Sequence, residues 1–563
     1  MTGQVVPVTK DGQDAGRGRS TGFGIGRAAA MIAALTVLAR VLGLVRTLVF
    51  AKTVGATCLG TAYITANTLP NIVYDIVLGG ALTSIMVPVL ARPANRSGRD
   101  PAAAAEVRQT SSALLTWTTV ILVPVSVAVA LAAGPIASLL NPVNTSDHCA
   151  QGPLVAVTGH MLAVFAPQIV LYGLAVVLYG ILQAHRRFAG PAVAPVISSL
   201  VVIAAYLAFV PLGGRDTGNL AALPLSAKLL LSVGTTAGVA ALVLTAAWPA
   251  WRLRIGVRPT LRFPPGIARR AGGLAVFGIV ALLAEDVSQL VVIVLANGHG
   301  TSAAIVLYQY GWQVFEAVYA VLAVSIAVSA FPALSVRQGD EFDETAAASV
   351  RAVLLMSFLG TALVLAVAVP AARFLAAGPD QVSQLATGLA LFAPGLAGYG
   401  LVASLSRVLL VTGRTRTAAM AVAAGWLIVI IADVALVTVA PGRLVVAMLA
   451  LGNTVGLTVA GLALVVAARR RPGPAVLAGV GRVALSGLCA AVVGGVSGGA
   501  AGAALLAALP SAGPVADALI AVLAVACAAV SYAVVAYLPA DSELRVVLVR
   551  TRRAAIRWRT ALR

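Results

Sequence analysis

Apolar stretches long enough to cross a lipid bilayer recur from residue 28 to residue 538, and this feature restricts the chain more than any other. The hydrocarbon core of a bilayer is about 30 Å thick, so a spanning helix needs about 20 predominantly apolar residues. Cutting the sequence wherever charge, Pro or Gly clusters interrupt the apolar runs predicts about fourteen spans. Short connections such as 298–301 and 440–442 make neighbouring spans antiparallel. The expected fold class is therefore an all-α polytopic membrane protein.

Charge supports the same reading. Only 10% of the 563 residues are charged and 60% are hydrophobic, whereas a soluble domain carries about 25% charged residues. Such a chain cannot cover itself with a water-facing shell. That excludes an ordinary cytosolic enzyme, a nucleic-acid-binding domain and a disordered scaffold. The formal net charge of +20 then belongs to basic loops beside a membrane. An even number of spans puts both termini on one side, and positively charged loops mark the cytoplasm. With the N-terminus inside, about thirty of the 39 Lys and Arg fall in cytoplasmic segments, against Lys52, Arg215, Lys228, Arg373 and Arg443 on the other side. The expectation is a plasma-membrane protein with both termini cytoplasmic.

The polar, Gly-rich segment 1–27 reads as a disordered cytoplasmic tail, with no cleavable signal peptide. The basic segment 539–563 reads either as an amphipathic helix on the inner leaflet, through Leu544, Val547, Leu548 and Ile556, or as a solvated tail.

Ionisable groups inside a membrane are costly, so each marks a candidate site. Arg40 and Arg46 lie in the first span. Six residues turn an ideal helix by about 600°, so the two do not share a face unless Gly43 permits a bend. We read them as a cationic pocket for an anionic ligand, because arginine forks match phosphate oxygens. The bland alternative has Arg46 snorkelling to the headgroups and Arg40 paired with an acid. Asp75 sits mid-span and suits either an arginine partner or an ion or proton site. Glu285 and Asp286 are adjacent, about 100° apart on a helix, and read as coupling groups or as paired charges. Glu316 and Asp433 are lone acids, expected to pair between helices or stay protonated. His160 is expected to be a packing residue. Cys58 and Cys149 both fall in outer loops where oxidation is chemically possible, but the four cysteines make no disulfide framework and no metal spacing, and the pair is not expected to be bonded.

No nucleophile–base pair, HExxH, Walker A loop or GxGxxG in strand context is present. No catalytic residue, metal or cofactor is expected. No loop is long enough to fold as a nucleotide-hydrolysing domain, so any transport is secondary.

Four strings in order carry a family resemblance. RVLGLVR at 40–46 precedes Leu69-Pro70-Asn71 and GGALTSIMVPVLAR at 79–92. GILQAHRRFAGPAVAPVISSL at 180–200 places Arg187, Phe188, Pro191, Ala192, Ala194 and Pro195 in a second pattern, and RVLLVTGRTRTAA at 407–419 in a third. The spacing from Glu316 to Phe331-Pro332 is the fourth. Together they resemble the lipid II flippase family, the MurJ/MviN proteins of the MOP exporter superfamily, over roughly residues 30–470. The resemblance implies two six-helix lobes related by pseudo-symmetry around a central cavity, here 28–250 and 272–468. It also implies a C-terminal helix pair at 477–538 that makes a groove for a long lipid tail.

The resemblance further implies a flippase that carries a lipid-linked, pyrophosphate-bearing cell-wall precursor from the inner to the outer leaflet by alternating access. Arg40, Arg46, Asn71, Asp75 and Gln313 are the implied substrate-binding positions. Asp75, Glu285, Asp286 and Glu316 are the candidates for ion or proton coupling. The departures from the family pattern concern charge. Thr47 stands where the family has an acid, Tyr74 and Asp75 where it has an arginine, Thr61 where it has an aspartate, and Trp312-Gln313 where it has Asp-Arg. The implied partners are an anionic lipid-linked substrate, membrane lipids and the cell-wall synthesis machinery, with no nucleic acid. Two alternatives remain open: a polysaccharide or multidrug exporter of the same superfamily, and a non-transporting scaffold for envelope assembly.

Overall fold

The structure is a computed structural model that describes residues 19–77, 90, 93–94, 96, 100–144, 149–214, 217–263, 267–509 and 513–537. Among these residues there are helices and connections but no strand. This follows from the solvent, because in lipid every backbone N–H and C=O must be satisfied within the segment, which a helix does unaided.

The N-terminal lobe contains α1 (Arg19–Thr53), α2 (Cys58–Ile76), α3 (Pro101–Leu131), α4 (Ala133–Leu140), α5 (Gln151–Phe165), α6 (Pro167–Ala184), α7 (Ala189–Phe209) and α8 (Leu225–Trp251). The C-terminal lobe contains α9 (Ile267–His299), α10 (Ala304–Tyr319), α11 (Ser325–Val336), α12 (Gly339–Leu375), α13 (Pro379–Phe392), α14 (Gly395–Val411), α15 (Thr415–Val437) and α16 (Val445–Arg470). A final pair, α17 (Val480–Ala508) and α18 (Pro514–Tyr537), packs on α12.

Helix starts follow local chemistry. The Thr57 hydroxyl accepts the Gly60 N–H at 3.3 Å and caps α2. Asp100 accepts the Ala102 N–H at 2.9 Å ahead of Pro101 and caps α3.

Twelve of the described helical segments are long and apolar enough to span a membrane, and the bent pair α13–α14 makes a thirteenth. The fourteenth span expected from sequence is the second one, over 61–91, of which the structure describes α2 only to Ile76. The first helix begins at Arg19, so part of the segment read as a disordered tail is helical. Residues 1–18 and 538–563 lie outside the described residues.

Three spans that read as continuous are broken. The fourth divides between Phe165 and Pro167, the tenth bends by 43° between Phe392 and Gly395, and the eighth winds into a π-helical turn at Ala320–Val324 between α10 and α11. Proline removes a backbone donor and clashes with the preceding turn, which explains the first two.

Those two breaks expose an internal repeat. The string FAPQIVLYG at 165–173 recurs as FAPGLAGYG at 392–400. Tyr172 of the first copy packs on Tyr74 with ring centroids 4.6 Å apart, and Tyr399 of the second stacks on Tyr319 at 3.8 Å. Phe165 meets Tyr63 at 5.6 Å, and Phe392 meets Tyr308 at 5.3 Å. Each copy ends in a turn with positive φ, at Arg186 (58°) and Gly413 (74°). Helix pairings repeat as well, with α1 on α7 matched by α9 on α15, and α7 on α8 by α15 on α16. The two lobes thus share this string, its ring contacts and two helix pairings.

Cys58 and Cys149 are joined in a disulfide with Cα atoms 5.7 Å apart. This corrects the sequence expectation of two separate thiols. The α2 start and the loop after α4 meet only in the folded lobe, which spacing along the chain does not reveal. The bond defines one end of the bundle, called here the disulfide end. The opposite end carries Arg186, Arg187, Arg252, Arg254 and Arg258, with the Arg252 guanidinium 3.8 Å from the Trp248 ring.

In the C-terminal pair, glycines on one face of α17 let helices approach. A Cβ on Gly498 would lie 2.7 Å from the Ala366 and Ala528 methyls.

Candidate functional site

The lobes touch at the disulfide end. Phe50 at the end of α1 packs against Tyr63 and Tyr206 of its own lobe (5.1 and 5.3 Å) and Tyr310 of the other (6.5 Å). Hydrogen bonds cross at the same end. The Thr47 hydroxyl donates to Gln313 Oε1 (2.5 Å), the Thr61 hydroxyl to the Ser302 carbonyl (2.5 Å), and Gln381 Nε2 to the Ala56 carbonyl (2.9 Å). Asn144 Nδ2 donates to the carbonyls of Asn297 (3.0 Å) and Gly300 (2.8 Å). Lys52 lies 5.3 Å from the Phe374 ring across the same seam. Each such bond contributes about 0.5–1.5 kcal/mol net, so the seam is held by a few kcal/mol and can open.

Below this seam the predicted site residues come together. Arg40 and Arg46 are exposed on α1, toward the space between the lobes. Arg46 lies within electrostatic reach of Tyr63, Tyr172 and Tyr206 on the N-terminal wall. Arg40 reaches Glu316 on the C-terminal wall. Neither arginine forms a hydrogen bond or a close ion pair with a described residue. Asn71 belongs to the N-terminal wall, where its Oδ1 accepts the Tyr172 hydroxyl at 3.2 Å. Gln313 is engaged by Thr47 at the seam.

The acids converge from three helices. Asp75 of α2 is exposed and within electrostatic reach of Glu316 of α10. Glu285 of α9 feels Asp286, Asp75 and Glu316. Asp286 is 6% exposed, and its Oδ2 has no hydrogen-bond partner. A carboxylate at the centre of an isolated spanning helix costs about 2.5–3.5 kcal/mol. Asp75 and Glu316 offset that cost by their exposure, whereas Asp286 is buried.

Of the two remaining single groups, Asp433 keeps only one of its two expected states and His160 departs from expectation. Asp433 is fully buried, and both its oxygens lack a hydrogen-bond partner among the described residues, so it does not pair between helices. Room for its carboxylate comes from Gly452, where a Cβ would stand 2.0 Å from Asp433 Oδ1. Nearby, Asn453 donates to the Tyr308 hydroxyl at 2.9 Å. His160 is not packed inside. It is exposed with Lys228 along a shallow cavity of about 290 Å³.

Sequence reading assigned no role to Arg407 of α14. It is half-buried, donates to the Ala403 carbonyl and lies within electrostatic reach of Tyr319. Its signal was the arginine opening the 407–419 string. A separate apolar groove of about 780 Å³ runs between α12, α14, α16 and α17, with Arg469 at one end. Its lining is mostly apolar, and α17 of the C-terminal pair forms one wall. No group of three or more metal-ligating side chains occurs among the described residues.

The comparisons with known proteins agree with this architecture. A family model described as Lipid II flippase MurJ matches residues 50–503. The chain is 30% identical over 186 residues to a Burkholderia cenocepacia protein of the same description. That alignment takes in 33% of this chain and 34% of the relative, so the chain spans about a third of that protein's length. Among solved structures, a lipid II flippase MurJ in an inward closed conformation superimposes with a TM-score of 0.66 at 17% identity, covering 89% of this chain and 98% of the other. An inward-facing multidrug resistance transporter of the MATE family, in the MOP superfamily, superimposes with a TM-score of 0.62 at 13% identity, covering 77% and 94%. At such identities these two likenesses concern the fold alone.

Proposed function

The chain belongs to the lipid II flippase MurJ family, and from that premise we propose that it carries lipid II, a polyprenyl-pyrophosphate-linked cell-wall precursor, from the inner to the outer leaflet. The observation that carries this reading is the pair Arg40 and Arg46. Two exposed arginines without close acidic partners line the inter-lobe space of a membrane bundle. A guanidinium presents donors in a fixed fork suited to phosphate oxygens, and the attraction strengthens where water is scarce. Asn71 and Gln313 supply polar contacts beside them.

We place the disulfide end outside and the arginine-rich end in the cytoplasm. Disulfides persist in oxidising compartments and basic loops stay inside, and both rules point the same way here. The protein is then a multi-pass inner-membrane protein closed outward. The headgroup binds from the cytoplasm, and the polyprenyl tail rests in the groove bounded by α12 and α17.

Turnover requires the lobes to part at the disulfide end and meet at the basic end. Moving such an equilibrium from 1:99 to 99:1 takes about 5.5 kcal/mol of differential binding. That is of the order of the few hydrogen bonds that close the seam. Asp75, Glu285, Asp286 and Glu316 reset the empty carrier by taking up a cation or proton. A cationic ligand, as for a multidrug exporter, is the second reading, and those same four acids favour it.

The test is complementation of cells depleted of their own lipid II flippase, with surface accessibility of lipid II as the readout. Rescue that is lost in Arg40→Ala and Arg46→Ala supports lipid II transport. No rescue, with the protein present in the membrane, overturns it.

A further inference from the structure

The motif arginine in α14 lies within electrostatic reach of Tyr319, which also feels Glu285 and Glu316 of the acid cluster, and it stands at a different depth from the α1 arginines. The α1 arginines lie about 10 Å (Arg46) and 20 Å (Arg40) from Thr53, counted along the helix from the disulfide end. Glu316 lies about 18 Å from Ala304 on the facing helix, level with Arg40. Tyr319 is one turn deeper, at the last residue of α10 before the π-helical turn. Arg407, in reach of Tyr319, is one turn from the end of α14 at the basic end. The three cations thus form a ladder that descends toward the end we place in the cytoplasm.

Two observations separate Arg407 from a packing role. First, its equivalent in the other lobe is Gly180. The two FAP…YG copies align Gly180 with Arg407, and the tyrosine pair Tyr74–Tyr172 forms in the N-terminal lobe without any arginine at that position. The helix break and the ring stack therefore do not require it. Second, Arg407 spends one of its five donors on the Ala403 carbonyl within its own helix, and no other described residue takes a hydrogen bond from its guanidinium. The Ala403 contact fixes the base of the fork and leaves its remaining edge for a ligand. The π-helical turn at Ala320–Val324 widens the facing helix at this level, and such turns recur at functional sites.

We propose that Arg407, backed by the stacked Tyr319 and Tyr399, is a capture subsite for the phosphate-bearing headgroup, occupied before the headgroup reaches Arg40 and Arg46. It supplies a third cation from the C-terminal lobe, where Gln313 carries no charge. The proposal rests on reading the α1 arginines as pyrophosphate ligands.

The test uses the full-length protein in nanodiscs, with lipid II and with undecaprenol, which lacks the pyrophosphate, as probes. The variants are Arg407→Gln, Arg407→Lys and the double variant Arg40→Ala/Arg46→Ala. Arg407→Gln keeps a donor for the Ala403 carbonyl and loses only the charge, so it is expected to fold. The expected result is at least tenfold slower association of lipid II with Arg407→Gln and a flatter dependence of that rate on salt. Binding of undecaprenol stays unchanged, and Arg407→Lys recovers part of the association rate. If Arg407→Gln associates as fast as the wild type while the double variant loses lipid II binding, the capture subsite is wrong and the reading of Arg40 and Arg46 stands. If the double variant binds lipid II as tightly as the wild type, the reading of the α1 arginines fails and the capture subsite falls with it. A lowered melting temperature with an unchanged salt dependence would assign Arg407 a structural role and overturn the proposal.

Discussion

Asn297 Nδ2 lies 3.0 Å from Thr65 Oγ1 and joins the two lobes through a side chain that is 7% exposed. The same amide nitrogen faces the Leu140 carbonyl at 2.9 Å and Asn141 Oδ1 at 3.2 Å. Three acceptors of one lobe therefore share the two hydrogens of one amide of the other. Asn297→Ala leaves those acceptors short of a donor in a buried place, which costs about 1–3 kcal/mol. The closed seam should lose that much relative to the open one, and the open population should rise about 5- to 150-fold. Distance measurements between spin labels on the α1–α2 connection and on the start of α13 would read the shift. An unchanged distance distribution would mean that Phe50 and its aromatic partners hold the seam alone.

The disulfide constrains a different part of the same end. It ties the start of α2, which carries Thr61 and Thr65, to the loop that carries Asn144, and the two cysteines are 91 residues apart. A crosslink over such a loop stabilises by about 2–4 kcal/mol, largely by restricting the unfolded chain. Cys58→Ser and Cys149→Ser should each lower the melting temperature in detergent, and the double variant should fall no further than either single one. Membrane orientation can be read from the same bond. On intact cells, a membrane-impermeant reductant followed by an impermeant maleimide should label Cys58 and Cys149. Labelling that needs permeabilised cells would reverse the proposed orientation.

What the sequence discloses and what it hides follow from range. The approximate span number is legible because membrane helices are written as contiguous composition, read locally; the two-lobe order comes only through the family resemblance. Arg40, Arg46, Asp75, Glu285 and Glu316 are legible because any charge stands out in an apolar run. The Cys58–Cys149 bond is not, since nothing in either residue's neighbourhood names the other. The breaks at Pro167 and Pro394 were visible as prolines, but only the recurrence of FAP…YG in both halves relates the two helix breaks to each other. Arg407 was visible as a motif letter, yet its place near the acid cluster depends on Tyr319, which lies on another helix.

Gly452 should be among the least replaceable glycines in the C-terminal lobe. Asp433 Oδ1 would lie 2.0 Å from a Cβ at that position, with the Asp433 backbone nitrogen at 3.1 Å. The backbone of α15 cannot yield without disturbing its long contact with α16. Overpacking of this kind costs about 1–3 kcal/mol, occasionally more. Gly452→Ala should therefore reduce the folded yield in the membrane and the melting temperature. Gly452→Ala in an Asp433→Ala background should recover most of the loss, because the colliding carboxylate is gone. Equal loss in both backgrounds would place the strain in the helix backbones.

Glu316 and Arg40 lie within electrostatic reach of each other, which gives binding and turnover opposite signs. A carboxylate near the guanidinium competes with a phosphate for it and also repels the phosphate. Both side chains are exposed, so water screens the pair to about 0.2–1 kcal/mol. Removing the charge with Glu316→Gln should tighten lipid II binding by about 1.5- to 5-fold. The same change should slow transport, because the acid that displaces the headgroup from Arg40 on release is missing. Equilibrium binding to the purified variant and lipid II accessibility in complemented cells separate the two effects. Asp75→Asn should act in the same direction and more weakly, since Asp75 reaches Arg40 only through its neighbour Glu316. Weaker binding in Glu316→Gln would show that the carboxylate holds Arg40 in place for the ligand and would reverse the assigned role.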